Sequence, residues 1–106
     1  MTVALFVVAA AAGAVLRHLV ATGLPSRTGI VVVNVAGSFV LGLLAGSDVG
    51  RTVLVVLGTG FCGALTTWSS FAHDVATEPD HRRAVAHAAT GVGLGLLAAA
   101  VGLALA

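Results

Sequence analysis

Four long apolar runs, at residues 2–22, 29–45, 52–72 and 84–106, take up almost all of this 106-residue chain. Each is close to the ~20 residues that an α-helix needs to cross the ~30 Å hydrocarbon core of a bilayer. The breaks between them hold most of the charge: Gly23-Leu24-Pro25-Ser26-Arg27, then Gly46-Ser47-Asp48-Val49-Gly50-Arg51, then the polar segment from His73 to Arg83. Five arginines and four acidic residues, 8% of the chain against 58% hydrophobic, cannot wet the surface of a soluble domain, which needs roughly a quarter of its residues charged. Valine is frequent, yet runs of this length without period-two alternation fit neither a sandwich nor an outer-membrane barrel. Helices satisfy their own backbone in lipid, so the expected fold is an all-α membrane protein, one domain of four transmembrane helices.

The first run has no basic segment before it and carries Arg17 near its end, so it reads as a retained span rather than a signal peptide. A net charge of +1 with no basic patch gives no footing for nucleic acid. The single cysteine, Cys62, lies in an apolar run and cannot form an internal disulfide. His73, Asp74, Asp80 and His81 crowd one segment but lack helical metal-ligand spacing and read as a solvated turn, and nothing else suggests an enzyme.

Glycine sits inside the spans at close spacing. Gly42 and Gly46 are four apart, and Gly91, Gly93 and Gly95 crowd one half of the last run. Small residues let helices approach where no hydrophobic effect drives them together, so these faces are expected to be helix–helix contacts. Four such helices make a thin bundle that can hardly enclose a polar path, so an oligomer, most simply a dimer, is expected.

Threonines at the run ends and Thr59 aside, the costly residues within the runs are few: Arg17 and His18, Asn34 and Ser38, Thr66, Thr67, Ser69 and Ser70, then His87 and Thr90. None of the four runs contains Asp or Glu, which disfavours an exporter coupled to protons or cations through a membrane carboxylate. One cation, one amide and a set of hydroxyls suit an anion, since each offers hydrogen-bond donors. Arg17 has a competing reading as an interfacial anchor, and the neutral residues as helix–helix glue.

The third run is the most informative. Gly58, Gly60 and Gly63 fit a GxGxxG pattern after Val53 to Leu57, but a dinucleotide fold needs further strands and a soluble context that this chain lacks. Three glycines followed by Thr66 and Thr67 instead suggest a helix broken in mid-membrane, tolerated only where it is buried in protein or lines a wet cavity. The half-helix ends carry opposite partial charges, so freed carbonyls suit a cation and exposed N–H groups an anion. Trp68 and Phe71 are three apart and share a face, and aromatic ring edges are electropositive.

Three stretches together resemble the small four-helix fluoride channels, the CrcB/Fluc family. Gly13-Ala14-Val15-Leu16-Arg17 is similar to its first-helix Gly-Ala-x-x-Arg, and Asn34-Val35-Ala36-Gly37-Ser38-Phe39 to its Asn-x-x-Gly-Ser-Phe. Gly60 to Phe71 resembles its Gly-Phe-Cys-Gly-Gly-x-Thr-Thr-Phe-Ser-Thr-Phe. The resemblance implies a dual-topology, antiparallel dimer in the cell (inner) membrane that exports fluoride passively from the cytoplasm through two pores. It implies a structural sodium ion at the dimer interface, held by backbone carbonyls of the third-helix break, here Gly63 and Thr66. By the same resemblance Asn34 lines the pore, Arg17 sits in the vestibule, Phe71 is a pore aromatic with Trp68 at the companion position, and Ser69 and Ser70 donate hydroxyls. The chemistry agrees: fluoride is small and tightly hydrated, so a selective path must replace its water with many donors and no charge strong enough to trap it.

The chain departs from the family at several positions. Trp68 stands for a usual phenylalanine, Ala64 for a glycine, His18 for a frequent tyrosine, and the fourth run offers only His87 and Thr90 where a Tyr and Ser track is usual. Some members work as two different chains, and these departures, with Arg27, Arg82 and Arg83 on one side against Arg51 on the other, keep a pore-poor subunit of a heterodimer as the alternative. A small multidrug-type exporter shares the length and span count but wants the membrane carboxylate that the runs lack.

Overall fold

The structure is a computed structural model that describes residues 2–106, the side chain of Ser26 excepted. Among the described residues it is all helix and turn, with no strand. Helix α1 spans Thr2–Gly23 and α2 spans Ser26–Gly46. Helix α3 covers residues 51–65, in three consecutive pieces: Arg51–Val53, a π-helical middle at Leu54–Cys62, and Gly63–Leu65. Helix α4 is Trp68–Ala76 and α5 is His81–Leu105. With α3 and α4 counted as one bent span, Arg51–Ala76, four helical spans are long and apolar enough to cross a membrane.

The turns are set by local chemistry. Pro25, at φ −51°, precedes α2 and accepts the first helical bond, from Gly29 N–H at 2.9 Å. After α2, Ser47 Oγ donates to the Leu43 carbonyl at 2.5 Å, and Gly50 takes φ +82°, a left-handed conformation that favours glycine. At the start of α5, Asp80 Oδ1 accepts from the Arg82 and Arg83 N–H groups at 2.9 and 3.4 Å. The α4–α5 connection is therefore shorter than the polar segment suggests, because α4 continues past Phe71 to Ala76.

That continuation corrects one expectation. The third span contains an acid after all, Asp74, and its Oδ2 atom is buried with no hydrogen-bond partner among the described residues. The apolar run stops at Ala72, but the helix persists for another turn because nothing between Phe71 and Ala76 breaks it and Thr77 caps it, with its N–H on the His73 carbonyl at 2.9 Å.

Small residues decide how the helices meet. Gly42 and Gly46 of α2 lie against Ala99 and Leu103 of α5, and Gly102 of α5 lies against Phe39 and Leu43 of α2, so these two helices run in the same direction. Gly13 and Gly60 bring α1 and α3 into backbone contact, and Gly29 seats α2 on Ala21 of α1. Of the three close glycines in α5, Gly91 packs against the Phe71 ring and Gly95 faces Ser38, while a Cβ on Gly93 would meet nothing within 4 Å among the described residues. The buried apolar core is small: Ile30, Val33, Cys62, Leu65 and Phe71. Most other large apolar side chains point outward, as they do in a bundle solvated by lipid rather than water.

Candidate pore and helix break

The break between α3 and α4 is two residues long. Thr66 (φ −83°, ψ 155°) and Thr67 (φ −147°, ψ 119°) are extended, which removes them from both helices and exposes backbone groups that must be met elsewhere. The π-helical turns just before it already loosen the ladder, and Gly63 N–H reaches the carbonyl of Gly58, five residues back.

Side chains from two other spans meet these groups. Asn34 of α2 holds both backbone polar groups of Thr67: its Nδ2 donates to the Thr67 carbonyl at 3.1 Å, and its Oδ1 accepts from the Thr67 N–H at 2.7 Å. Arg17 of α1 donates from one guanidinium nitrogen to the Ala64 carbonyl at 3.0 Å, a cation placed at the negative end of α3. Thr66 Oγ1 donates to the Cys62 carbonyl at 2.9 Å, and Thr67 Oγ1 accepts from Ser70 N–H at 3.2 Å to cap α4. What remains unmatched is informative. The carbonyls of Gly63 and Thr66 and the N–H groups of Trp68 and Ser69 have no partner among the described residues. The break thus presents free oxygens on its α3 side and free N–H groups on its α4 side.

An open groove of about 800 Å³ runs beside the break, walled by α2, α3, α4 and α5. Asn34, Gly63, Thr66, Trp68 and Phe71 all line it, so the structure brings these five sequence-derived positions together. Its polar wall comes from α2 and the third span, through Asn34, Ser38, Thr59, Thr66 and Thr67, whereas α5 contributes Gly91, Val92, Gly95, Leu96 and Ala99 and no polar side chain. Trp68 is 71% exposed and Phe71 is buried at 4%, with ring centroids 5.6 Å apart.

The remaining positions lie elsewhere. Arg17 is engaged on Ala64 and does not line the groove. Ser69 and Ser70 line a separate cleft of about 440 Å³ with His73, Asp74, Ala21 and Ile30. Helical periodicity accounts for this split, since residues one or two after Trp68 are turned ~100–200° from it. Ser38 was read from sequence only as one of the span hydroxyls, without a place in the pore, and Thr59 was passed over although it lies in the third apolar run. No group of His, Cys, Asp or Glu that could hold a metal occurs among the described residues.

A family model described as CrcB-like protein, Camphor Resistance (CrcB), matches residues 4–103. The chain belongs to the CrcB-like family. Curated relatives carry a more specific name. One from Symbiobacterium thermophilum, Fluoride-specific ion channel FluC 1, is 49% identical over 113 residues, covering 92% of this chain and 91% of that protein. The Fluoride-specific ion channel FluC 2 of Rhodococcus jostii is 40% identical, with 96% of each chain covered. A FluC 1 from Halobacterium salinarum is 43% identical, covering 91% of this chain and 82% of the relative. No solved structure matches. Membership in this family of ion channels, together with four apolar spans, makes the CrcB-like chain a multi-pass membrane protein and not an enzyme.

Proposed function

We propose that this chain is a subunit of a fluoride-selective channel that lets fluoride leave the cytoplasm passively, as the names of its relatives suggest. The observation that carries the reading is the Asn34 clamp on Thr67, which holds a mid-span break open beside two aromatic rings. A carboxamide has two N–H donors, and one is spent on Thr67, leaving the second available in the groove that Asn34 lines. With the edges of Trp68 and Phe71 it gives a dehydrating anion neutral partners rather than a fixed charge that would trap it. Arg17 raises the local positive potential from behind the break, and Ser69 and Ser70 offer hydroxyls in the neighbouring cleft.

The groove is open on one side in a single chain, so the pore is completed by a second chain, in the antiparallel dimer that the family resemblance implies. The unpaired carbonyls of Gly63 and Thr66 fit a sodium ion: they are neutral oxygens with no donor, at the negative end of a helix. Such an ion would supply a structural link where two breaks meet.

Whether the second chain is identical is a separate question, and one observation favours a different chain. The α5 wall of Gly91, Gly95 and Ala99 brings no hydroxyl to the groove, so a homologue with a polar fourth helix would complete a better pore than a second copy. Fluoride release from liposomes holding this chain alone, and then with a homologue of the same size from the same genome, tests both readings. Release by the chain alone supports a homodimer, release only by the pair supports the heterodimer, and release by neither contradicts the channel reading.

A further inference from the structure

The packing of the helices sorts the arginines to two ends of the bundle. Gly13 lies against Phe61 and Leu65, and Gly60 against Phe6 and Ala9, so α1 and the third span run the same way. Gly29 on Ala21 sets the start of α2 beside the end of α1, and α5 runs with α2. The Arg27–Glu78 ion pair ties the start of α2 to the turn before α5. Arg27, Arg82 and Arg83 therefore share one end, while Arg51 lies at the other with Thr2, the turn at 47–50 and Leu105. Arg17 is not a loop charge: its guanidinium is held on the Ala64 carbonyl inside the span, about 9 Å of helix from Gly23. Asp80 spends its carboxylate on the backbone N–H groups of Arg82 and Arg83, and both of these arginines are exposed.

We propose that this chain inserts in a single orientation, with the Arg27, Arg82 and Arg83 end in the cytoplasm and Thr2, the 47–50 turn and Leu105 outside. The recognising surface is the anionic cytoplasmic leaflet, and the loops are short enough for their basic residues to decide the choice, to which Asp and Glu contribute little. An arginine near that surface favours its side by about fivefold, so three against one gives about thirtyfold. This sets the chain apart from the dual topology that the family resemblance implies. The consequence for the partner rests on the fluoride-channel reading and its antiparallel dimer. A chain that inserts one way cannot pair antiparallel with its own copy, so the second chain is a homologue whose basic residues crowd the end that carries only Arg51 here.

The test labels single cysteines in intact bacteria with a membrane-impermeant maleimide. In full-length chains carrying Cys62→Ala, Val49→Cys reports the Arg51 end and Leu24→Cys the opposite end. Val49→Cys should label from outside, and Leu24→Cys only after the cells are permeabilised, with about tenfold or more between them. Arg82→Gln together with Arg83→Gln leaves one loop arginine at each end, and outside labelling should then reach both positions in similar amounts. Equal labelling of the two positions with all arginines present, or the reverse preference, overturns the orientation. One-sided labelling that survives the loss of Arg82 and Arg83 overturns its assignment to these arginines. Should a cysteine variant stay unlabelled in permeabilised cells, alkaline phosphatase fused after Ala106 decides: activity supports the orientation, and its absence overturns it. Fluoride efflux separates this proposal from the reading beneath it. Release by the chain alone overturns the unlike partner, whereas one-sided insertion with no release even beside a paired homologue keeps the orientation and overturns the channel.

Discussion

Asn34 acts on the backbone before it can act on any ion. Removing its side chain leaves the N–H and the carbonyl of Thr67 unpaired at membrane depth, each at about 1–3 kcal/mol, and frees the break to refold or collapse. Asn34→Ala should therefore lower fluoride efflux well below that of Cys62→Ala, whose thiol also lines the groove but makes no such bond; equal rates from an electrode assay would contradict a role for the amide. Trp68 is the opposite kind of residue, exposed in the single chain and set against Phe71 in a tilted ring contact. Trp68→Phe should keep the rate within about threefold if its ring edge is what matters; loss of conduction would make the indole N–H a donor in its own right. Sequence alone marked Asn34 as a polar residue inside a span and Thr66-Thr67 as a point of weakness. It could not show that one holds the other, because that bond joins residues 33 apart in the chain and depends on how α2 lies against α3. The offset of Ser69 and Ser70 from the Trp68–Phe71 face was legible in the helical period, but the cleft they enter is made by α1 and α2 and was not.

At the level of the helix pair, the glycines of α2 and α5 set the distance between two backbones. A Cβ on Gly42 would collide with the Ala99 carbonyl, and the backbone cannot move aside as a flexible side chain could. Gly42→Val should therefore push α2 off α5 and destabilise the protein by about 1–3 kcal/mol or more, lowering its melting temperature in detergent. Gly93→Ala is the internal comparison, since a Cβ there meets nothing within 4 Å among the described residues, and it should leave the melting temperature unchanged or raised. Matched shifts in the two variants would contradict the packing account. The four-residue spacing of Gly42 and Gly46 foretold a contact face, whereas the crowding of Gly91, Gly93 and Gly95 could not tell which of the three was used. The same limit hid the end of α4: hydropathy falls at His73, but hydrogen bonding carries the helix on to Ala76 and takes Asp74 with it.

At the scale of the whole molecule, an ion pair between Arg27 and Glu78 joins the start of α2 to the turn before α5. The Asp80 N–H, which donates to Glu78 Oε1 at 3.2 Å, holds that carboxyl below the usual carboxylate range, and Arg27 adds to the effect. A carboxyl lowered in the folded state stabilises above its ordinary value, and the benefit disappears as pH falls through the lowered one. Glu78→Gln should accordingly lower the melting temperature slightly at neutral pH and match the wild type in strong acid; a difference that grows on acidification would contradict the pairing. The central claim, that the groove beside the Thr66-Thr67 break conducts fluoride, is tested most directly by anion efflux from liposomes. The chain, alone or with a paired homologue, should release fluoride and retain chloride, and should lose fluoride release on Asn34→Ala. Release of both anions alike, or of neither, would contradict it.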